Sequence, residues 1–284
     1  MTNFSNCSGR CRLFLALTCA VIIAGCASYD ERVKSNAVPE FRPGLLVGYL
    51  QPETLPNSLA LLPPPPPAGS VAFSLDDEYS RMSFALRDTP AWTLATSDAD
   101  LTFPHAAGTF SCALNAQITE KDTPHLYILL RRTLTDAALS TSAAKDHYKR
   151  TRPFVLNKEP ICTPEEKAAL EKNGSYPSGH NAVGMAWALI LTEISREQTD
   201  AILLRGQAFG LSRIVCNVHW YSDTLQGRYM GADTVARLHA DPKFRADLEA
   251  AKAELEAVRA KGQTPTRDCS AETEAIALQR ALAQ

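Results

Sequence analysis

The sequence predicts an all-α fold, a helical bundle. Beyond Gly69, apolar residues recur at three-to-four spacing in segment after segment, and cap-and-proline signals open several of these segments. Few stretches alternate apolar with polar residues as a half-buried strand would. In chain order the predicted helices are 76–86, 123–150, 164–172, 180–194, 197–215 and 223–238. The third opens on Thr163-Pro164 followed by Glu165 and Glu166, which combines a cap, a proline at the first helical position and early acidic residues. Asp241-Pro242 opens a further helix, rich in Ala, Glu and Lys, expected to fray towards Gln284. No internal repeat is present.

A chain of 284 residues that is 45% hydrophobic can bury one sizeable core. Arg10 and Arg12 precede a mostly apolar run at 13–24, too short to span a bilayer but suited to the core of a signal peptide. That run ends in Ile23-Ala24-Gly25-Cys26, which resembles a bacterial lipoprotein box, so residues 1–25 are expected to be removed and Cys26 lipidated. An ordinary signal peptide cut nearby is the alternative. Ala27-Ser28 lacks the Asp that retains lipoproteins at the inner membrane. The expected location is therefore the periplasmic face of the cell envelope, anchored to the outer membrane in a Gram-negative host. Residues 26–68 read as a tether ending in a stiff polyproline spacer, Pro63 to Pro67, of roughly 15 Å. Residues 69–262 form the helical domain, and 263–284 a tail of frayed helix.

Removing residues 1–25 takes the formal net charge from −2 to −4. With no basic tract to follow a phosphate backbone, nucleic acid is excluded as a structural partner. Four cysteines remain after Cys26: Cys112, Cys162, Cys216 and Cys269. In an oxidising compartment they allow three complete pairings, and their spacing suits disulfides rather than zinc.

Three patches carry the chemistry. Lys145 is followed after six residues by Arg152-Pro153, Pro177-Ser178-Gly179-His180 comes next, and Ser212-Arg213 is followed after five residues by His219 and after three more by Asp223. Together they supply three permanent cations, a turn of small residues and two histidines. That set suits a tetrahedral oxyanion, because cations neutralise its oxygens, Ser and backbone N–H groups donate to them, and a histidine can attack. A Pro-Ser-Gly-His stretch alone would be an ordinary turn into a helix. The order and spacing of all three make the signal specific.

In this order the patches resemble the signature of the type-2 phosphatidic acid phosphatase superfamily, which also includes vanadium haloperoxidases. The flanks Leu61-Leu62, Ile118-Thr119-Glu120-Lys121-Asp122, Ala144-Lys145-Asp146-His147-Tyr148, Asn173-Gly174-Ser175-Tyr176 and Cys216 through Trp220 resemble bacterial class A non-specific acid phosphatases. The likeness covers about 61–260. It implies the acid phosphatase/haloperoxidase type of helical bundle and metal-independent hydrolysis of phosphate monoesters, with small substrates such as nucleotides, sugar phosphates or aryl phosphates. No cofactor is implied; vanadate or phosphate would occupy the site as inhibitor or product. The alternatives are a vanadate-dependent haloperoxidase and a non-catalytic envelope lipoprotein that keeps the fold. A homo-oligomer is compatible with everything above.

Carried over residue by residue, Lys145, Arg152, Ser178, Gly179, His180, Arg213, His219 and Asp223 all match. His219 is the expected nucleophile, forming a phosphohistidine, with Asp223 accepting its Nδ1 proton. His180 is the expected general acid, protonating the leaving oxygen. Lys145, Arg152 and Arg213 clamp phosphate, and the N–H groups of Ser178 and Gly179 seat it at a helix start. Pro153 is expected to end a helix and aim Arg152 inward. Lys149 and Arg150 read as solvated helix charges, and Asp76-Asp77-Glu78 as an acidic helix start. His105, His125 and His239 lack partners at useful spacing and read as surface groups, and His147 as a packing residue. Asn181, where the family commonly has Thr, and residues 224–228 depart from the pattern and bear on the pocket rim.

Overall fold

The computed structural model describes residues 38–283, so the expected signal segment and the expected lipidation of Cys26 lie outside the described residues. The chain divides into a unit Met1–Glu40 and a unit Phe41–Gln284, and the helical fold is that of the second. Two short strands, β1 (Glu40–Arg42) and β2 (Leu45–Leu46), form the only sheet among the described residues. The helices of the described residues are α1 (Ser58–Leu61), α2 (Val71–Ser83), α3 (Pro90–Ala99), α4 (Ser111–Leu114), α5 (Pro124–Ser140), α6 (Ser142–Tyr148), α7 (Pro153–Asn157), α8 (Lys167–Glu171), α9 (Gly179–Ile194), α10 (Thr199–Val215), α11 (Tyr221–Leu238), α12 (Pro242–Ala260) and α13 (Cys269–Arg280). The all-α expectation holds. No helix of the described residues is long and apolar enough to cross a membrane.

Helix α9 is the centre of the bundle. It is apolar nearly all round, with Ala182, Val183, Ala186, Trp187, Ile190 and Leu191 fully buried, as a helix enclosed by others must be. It packs against α5, α10 and α11, while α12 covers α5. Small residues set the close approach of the helices. A Cβ on Gly206 of α10 would lie 2.6 Å from the Ala188 Cβ, and one on Gly227 of α11 would lie 2.4 Å from the Ser178 carbonyl oxygen. Trp187 satisfies its indole N–H on the Leu130 carbonyl of α5, at 3.1 Å.

Several boundaries differ from the sequence expectation, each for a local reason. The predicted helix 123–150 breaks at Thr141, where the Ser140 and Thr141 hydroxyls donate to the Ala137 and Ala138 carbonyls and compete with the helical ladder. Lys149, in the left-handed region at φ 43°, ends α6. Pro153 then starts α7 instead of ending a helix: it sits at the first helical position and holds Arg152 extended before it. Asp76 lies in the middle of α2, whose cap is Ser70, so Asp76-Asp77-Glu78 is not a helix start. Thr163 makes no capping bond, and Pro164–Glu166 is a single 3-10 turn before the short α8.

The two ends of the expected domain are also revised. Within the expected tether, Leu46, Tyr49 and Leu62 are buried. The Tyr49 and Leu50 N–H groups donate to the Asp136 carboxylate at 2.9 and 3.0 Å, and Arg132 donates to the Gly48 carbonyl at 2.7 Å. The proline run is likewise fastened, by the Tyr176 hydroxyl to the Pro63 carbonyl at 2.5 Å. At the other end, the expected frayed tail contains α13, capped by Asp268 and tied to α4 by the disulfide Cys112–Cys269. Glu272, Ala275 and Gln279 form its buried stripe, which Leu282 continues in the 3-10 turn that follows. The second disulfide, Cys162–Cys216, joins the loop before α8 to the end of α10.

Gly227→Ala tests the close approach of α9 and α11. Because the clash is with backbone, the substitution should destabilise the fold by about 1–3 kcal/mol, read as a lowered thermal midpoint. An unchanged midpoint would contradict this packing.

Candidate active site

The three sequence patches converge where α6, α7, the start of α9, the end of α10 and the start of α11 meet. His219 follows α10 on a short loop whose backbone is folded back: the Val218 and His219 N–H groups both donate to the Arg213 carbonyl at 3.2 Å. The His219 ring is buried. Its Nε2 lies 3.2 Å from Nη1 of Arg152 and its Nδ1 3.2 Å from Oδ2 of Asp223. A guanidinium only donates, so Nε2 carries the lone pair and the ring proton resides on Nδ1, against the carboxylate. Burial first, then the charges of Arg152, Lys145 and Arg213, pushes the His219 pKa well below the ordinary histidine value, keeping the ring neutral.

Asp223 is fully buried and saturated with donors. Oδ2 accepts from the Trp220 N–H at 2.9 Å as well as from His219, and Oδ1 accepts from Nη1 of Arg150 at 2.6 Å. Its own carbonyl accepts the Ser178 N–H at 3.0 Å, which joins the second patch to the third. The Ser178 N–H is therefore not free to seat an anion, contrary to the sequence reading. The Ser178 hydroxyl is also engaged, accepting from the Asn181 N–H at 3.4 Å and side-chain amide at 3.0 Å. The N–H groups of Gly179 and His180 remain, as first-turn donors with no partner inside α9.

Backbone carbonyls aim the cations. Lys145 Nζ donates to the Gly174 and Pro177 carbonyls at 3.1 and 3.0 Å. Arg152 donates to the carbonyls of Leu170, Asn173 and Val218 at 3.0, 3.1 and 2.8 Å. Arg213 differs: it is 1% exposed, makes no ion pair among the described residues, and leaves Nε and Nη1 buried with no partner. A buried guanidinium without a carboxylate is costly unless an anion meets it. The donor set therefore suits an oxyanion such as phosphate, with Arg213, Arg152 and Lys145 as the charges that would hold it. Burial and the neighbouring Arg152 push Lys145 down to about 7, so it is not the permanent cation the sequence suggested. Burial likewise lowers Arg152 and Arg213 to about 10, and both stay charged.

His180, half-buried at the start of α9, directs Nε2 at the Ala99 carbonyl, 3.0 Å away, and stacks on Phe209. That bond leaves Nδ1 as the nitrogen that can gain and lose a proton. Burial, then the charge of Arg213, lowers its pKa well below the ordinary value.

Other sequence expectations need correction. Arg150 is not a solvated charge: its side chain is 8% exposed and ion-paired with both Asp76 and Asp223. Asp76, 1% exposed, accepts from the Ser222 N–H and hydroxyl at 2.6 and 2.7 Å. Asn181 is fully buried between α9, α10 and α11 and so does not line a rim. His105 and His239 do find partners, the Ser97 carbonyl and Glu193, each at 2.9 Å. His147 is exposed and edge-on to Tyr148. Among the described residues no three His, Cys, Asp or Glu side chains cluster as metal ligands. A cleft of about 750 Å³ between α3 and α13 lies away from this cluster.

The PAP2 superfamily matches residues 125–245, which includes every member of the cluster except Asp76. Over 208 residues the chain is 43% identical to a non-specific acid phosphatase of Providencia stuartii, covering 73% of this chain and 84% of that one. A non-specific acid phosphatase of Salmonella typhimurium is 39% identical over 233 residues, covering 78% and 93%. An acid phosphatase of Zymomonas mobilis is 41% identical over 209 residues, covering 74% and 79%. Among solved structures, a bacterial vanadium-dependent iodoperoxidase aligns at a TM-score of 0.45 and 16% identity, covering 73% of this chain and 63% of that one.

The lowered Lys145 pKa has a measurable sign. Its ammonium is charged below about 7 and is lost as pH rises through that value. At pH 6, inorganic phosphate should bind Lys145→Met about tenfold more weakly than the parent chain. By pH 9 the gap should narrow, because the parent has lost the same charge. Calorimetric titration of both proteins also removes the effect of phosphate's own ionisation, which is common to the two. An equal gap at both pH values would contradict the lowered pKa.

Proposed function

This chain belongs to the PAP2 superfamily, as an acid phosphatase, and on that premise we propose that it hydrolyses phosphate monoesters without a metal, through a phosphohistidine on His219. One observation carries the reading. The His219 ring is neutral, with its Nδ1 proton against Asp223 and its Nε2 lone pair turned to the cation cluster where Arg213 lacks a partner.

In this mechanism Lys145, Arg152 and Arg213 neutralise the phosphoryl oxygens, and the N–H groups of Gly179 and His180 add to them at the positive end of α9. Nε2 of His219 attacks phosphorus, the bond from phosphorus to the ester oxygen breaks, and its electron pair leaves with that oxygen. Asp223 stabilises the positive charge that develops on the ring. Protonated His180 gives its Nδ1 proton to the leaving oxygen. The now neutral His180 takes a proton from water, whose oxygen attacks phosphorus. The P–N bond then breaks, releasing phosphate and restoring His219. Arg152 and Arg213, with Lys145 while it is protonated below about pH 7, supply the charge that a divalent ion would otherwise supply.

The pH dependence follows from His180. Its lowered pKa makes the protonated form scarce as pH rises, and a bound phosphate dianion pulls the pKa back up by Coulomb attraction. Turnover therefore belongs to acidic conditions. The substrates that fit are small monoesters, and a panel of nucleotides, sugar phosphates and aryl phosphates would rank them. Two disulfides suit an oxidising compartment.

The test is a comparison of leaving groups in the presence of EDTA. His219→Ala should lose turnover with every substrate. His180→Ala should lose about 10²–10⁴ with an alkyl phosphate and much less with an activated aryl phosphate, which needs little protonation. Equal losses for the two esters would remove His180 from the acid role, and abolition of parental activity by EDTA would refute the metal-free route.

A further inference from the structure

We propose that Arg150 is a positioning residue for phosphoryl transfer: anchored by Asp76 of α2, it fixes the Asp223 carboxylate that orients His219. The proposal rests on His219 being the nucleophile. Arg150 stands two residues before Arg152 and outside the three patches. Its guanidinium bridges two buried carboxylates, with Nη1 at 2.6 Å from Asp223 Oδ1 and Nη2 at 2.6 Å from Asp76 Oδ2. Nη1 also donates to the Ser222 hydroxyl at 2.7 Å. That hydroxyl donates in turn to Asp76 Oδ2, and the Ser222 N–H donates to Asp76 Oδ1. The result is a closed ring through Arg150, Asp76 and Ser222, and its one outward bond of this kind goes to Asp223.

The ring addresses a specific need. Asp223 Oδ2 serves His219 and the Trp220 N–H, so the rotation of the carboxylate about its Cβ–Cγ bond is set by what Oδ1 meets. Arg150 supplies a charged donor there, and the plane it imposes brings Oδ2 to Nδ1 of His219. Asp76 does two things at once. It compensates the Arg150 charge in a buried setting, and it caps the first turn of α11, the turn that carries Asp223. Trp220 closes the assembly from the side, with its ring 5.5 Å from the Arg150 guanidinium carbon, its indole N–H on the Thr151 carbonyl at 2.8 Å, and Phe73 of α2 packed against it.

Arg150 is a different kind of residue from Arg213. Its terminal nitrogens face carboxylates and a hydroxyl, whereas Arg213 Nε and Nη1 have no partner. Arg150 therefore acts through Asp223 and not on phosphate. Its loss should leave substrate affinity to Lys145, Arg152 and Arg213 while reducing the fraction of time in which His219 is aligned.

The experiment is a double-mutant cycle on kcat and KM with an aryl phosphate, using Arg150→Gln, Asp223→Asn and the double variant, with Arg150→Lys alongside. Arg150→Gln should lower kcat by about 10–100-fold, by analogy with the loss of outer partners of metal-bound histidines, with KM little changed. Arg150→Lys should recover part of the loss. In the Asp223→Asn background, Arg150→Gln should cost less than about twofold, because the two residues act as one unit. Fully multiplicative losses, a rise confined to KM, or parental kcat in Arg150→Gln would each overturn the proposal. If Arg150→Gln fails to fold by thermal melting, the same cycle is run with Asp76→Asn, whose loss should again vanish in the Asp223→Asn background. Phosphoenzyme trapped in the parent chain by an alkaline quench separates the two levels. Absence of phosphate on His219 there would remove the parent reading, whereas phosphate on His219 with multiplicative losses would remove the Arg150 assignment alone.

Discussion

The buried carboxylate of Asp223 is the constraint on which the rest of the cluster depends. A fully buried charge is tolerable only when its lone pairs are met, and here Trp220, His219 and Arg150 meet them. Each of those bonds fixes a different part of the molecule. The Trp220 bond sets the first turn of α11, the His219 bond sets the ring tautomer, and the Arg150 bond brings in α2 through Asp76. The backbone carbonyl of the same residue receives the Ser178 N–H, which locks the start of α9 beside it. The tight contact at Gly227 exists so that α11 can approach Ser178 this closely.

Charge balance explains why the cluster is suited to an anion. Lys145, Arg150, Arg152 and Arg213 face only Asp76 and Asp223 within their hydrogen-bonded surroundings, and Arg150 is taken up by those two acids. Lys145 and Arg152 are held by neutral carbonyls, which orient them without cancelling their charge, and Arg213 keeps Nε and Nη1 buried without a partner. This is electrostatic preorganisation: donors aimed before the ligand arrives need little reorganisation afterwards. Its cost is visible in the depressed pKa of Lys145, Arg152 and Arg213, each moved first by burial.

Much of this is legible in the sequence, and the exceptions have physical causes. The spacing Lys145/Arg152, Ser178-Gly179-His180 and Arg213/His219/Asp223 names side chains, and the structure brings those side chains together. Carbonyl oxygens of Gly174, Pro177 and Val218 carry no residue signature, so the cage that aims the cations is invisible there. Arg150 reads as a solvated helix charge, as a charged residue on a helix usually is, and Asp76 as part of an acidic helix start; only their juxtaposition across 74 residues makes them buried partners. A faint signal exists, since Arg150 and Arg152 share a short loop two residues apart. The stripe Glu272, Ala275, Gln279 and Leu282 has helical spacing, but two of its four members are polar, which hides α13 as a docked helix. Residues 41–62 lack periodicity because side chains of α5 hold much of that backbone.

The tautomer of His219 decides which ring nitrogen attacks, and the position of phosphate on the ring reads it directly. Phosphoenzyme formed from an aryl phosphate, quenched in alkali to preserve the P–N bond and digested, can be resolved by phosphorus NMR into the two phosphohistidine isomers. Nδ1 held against Asp223 and Nε2 turned to the cations predict phosphate on Nε2 of His219 alone. Phosphate on Nδ1 of His219, or on His180, would contradict the arrangement from which the mechanism was built.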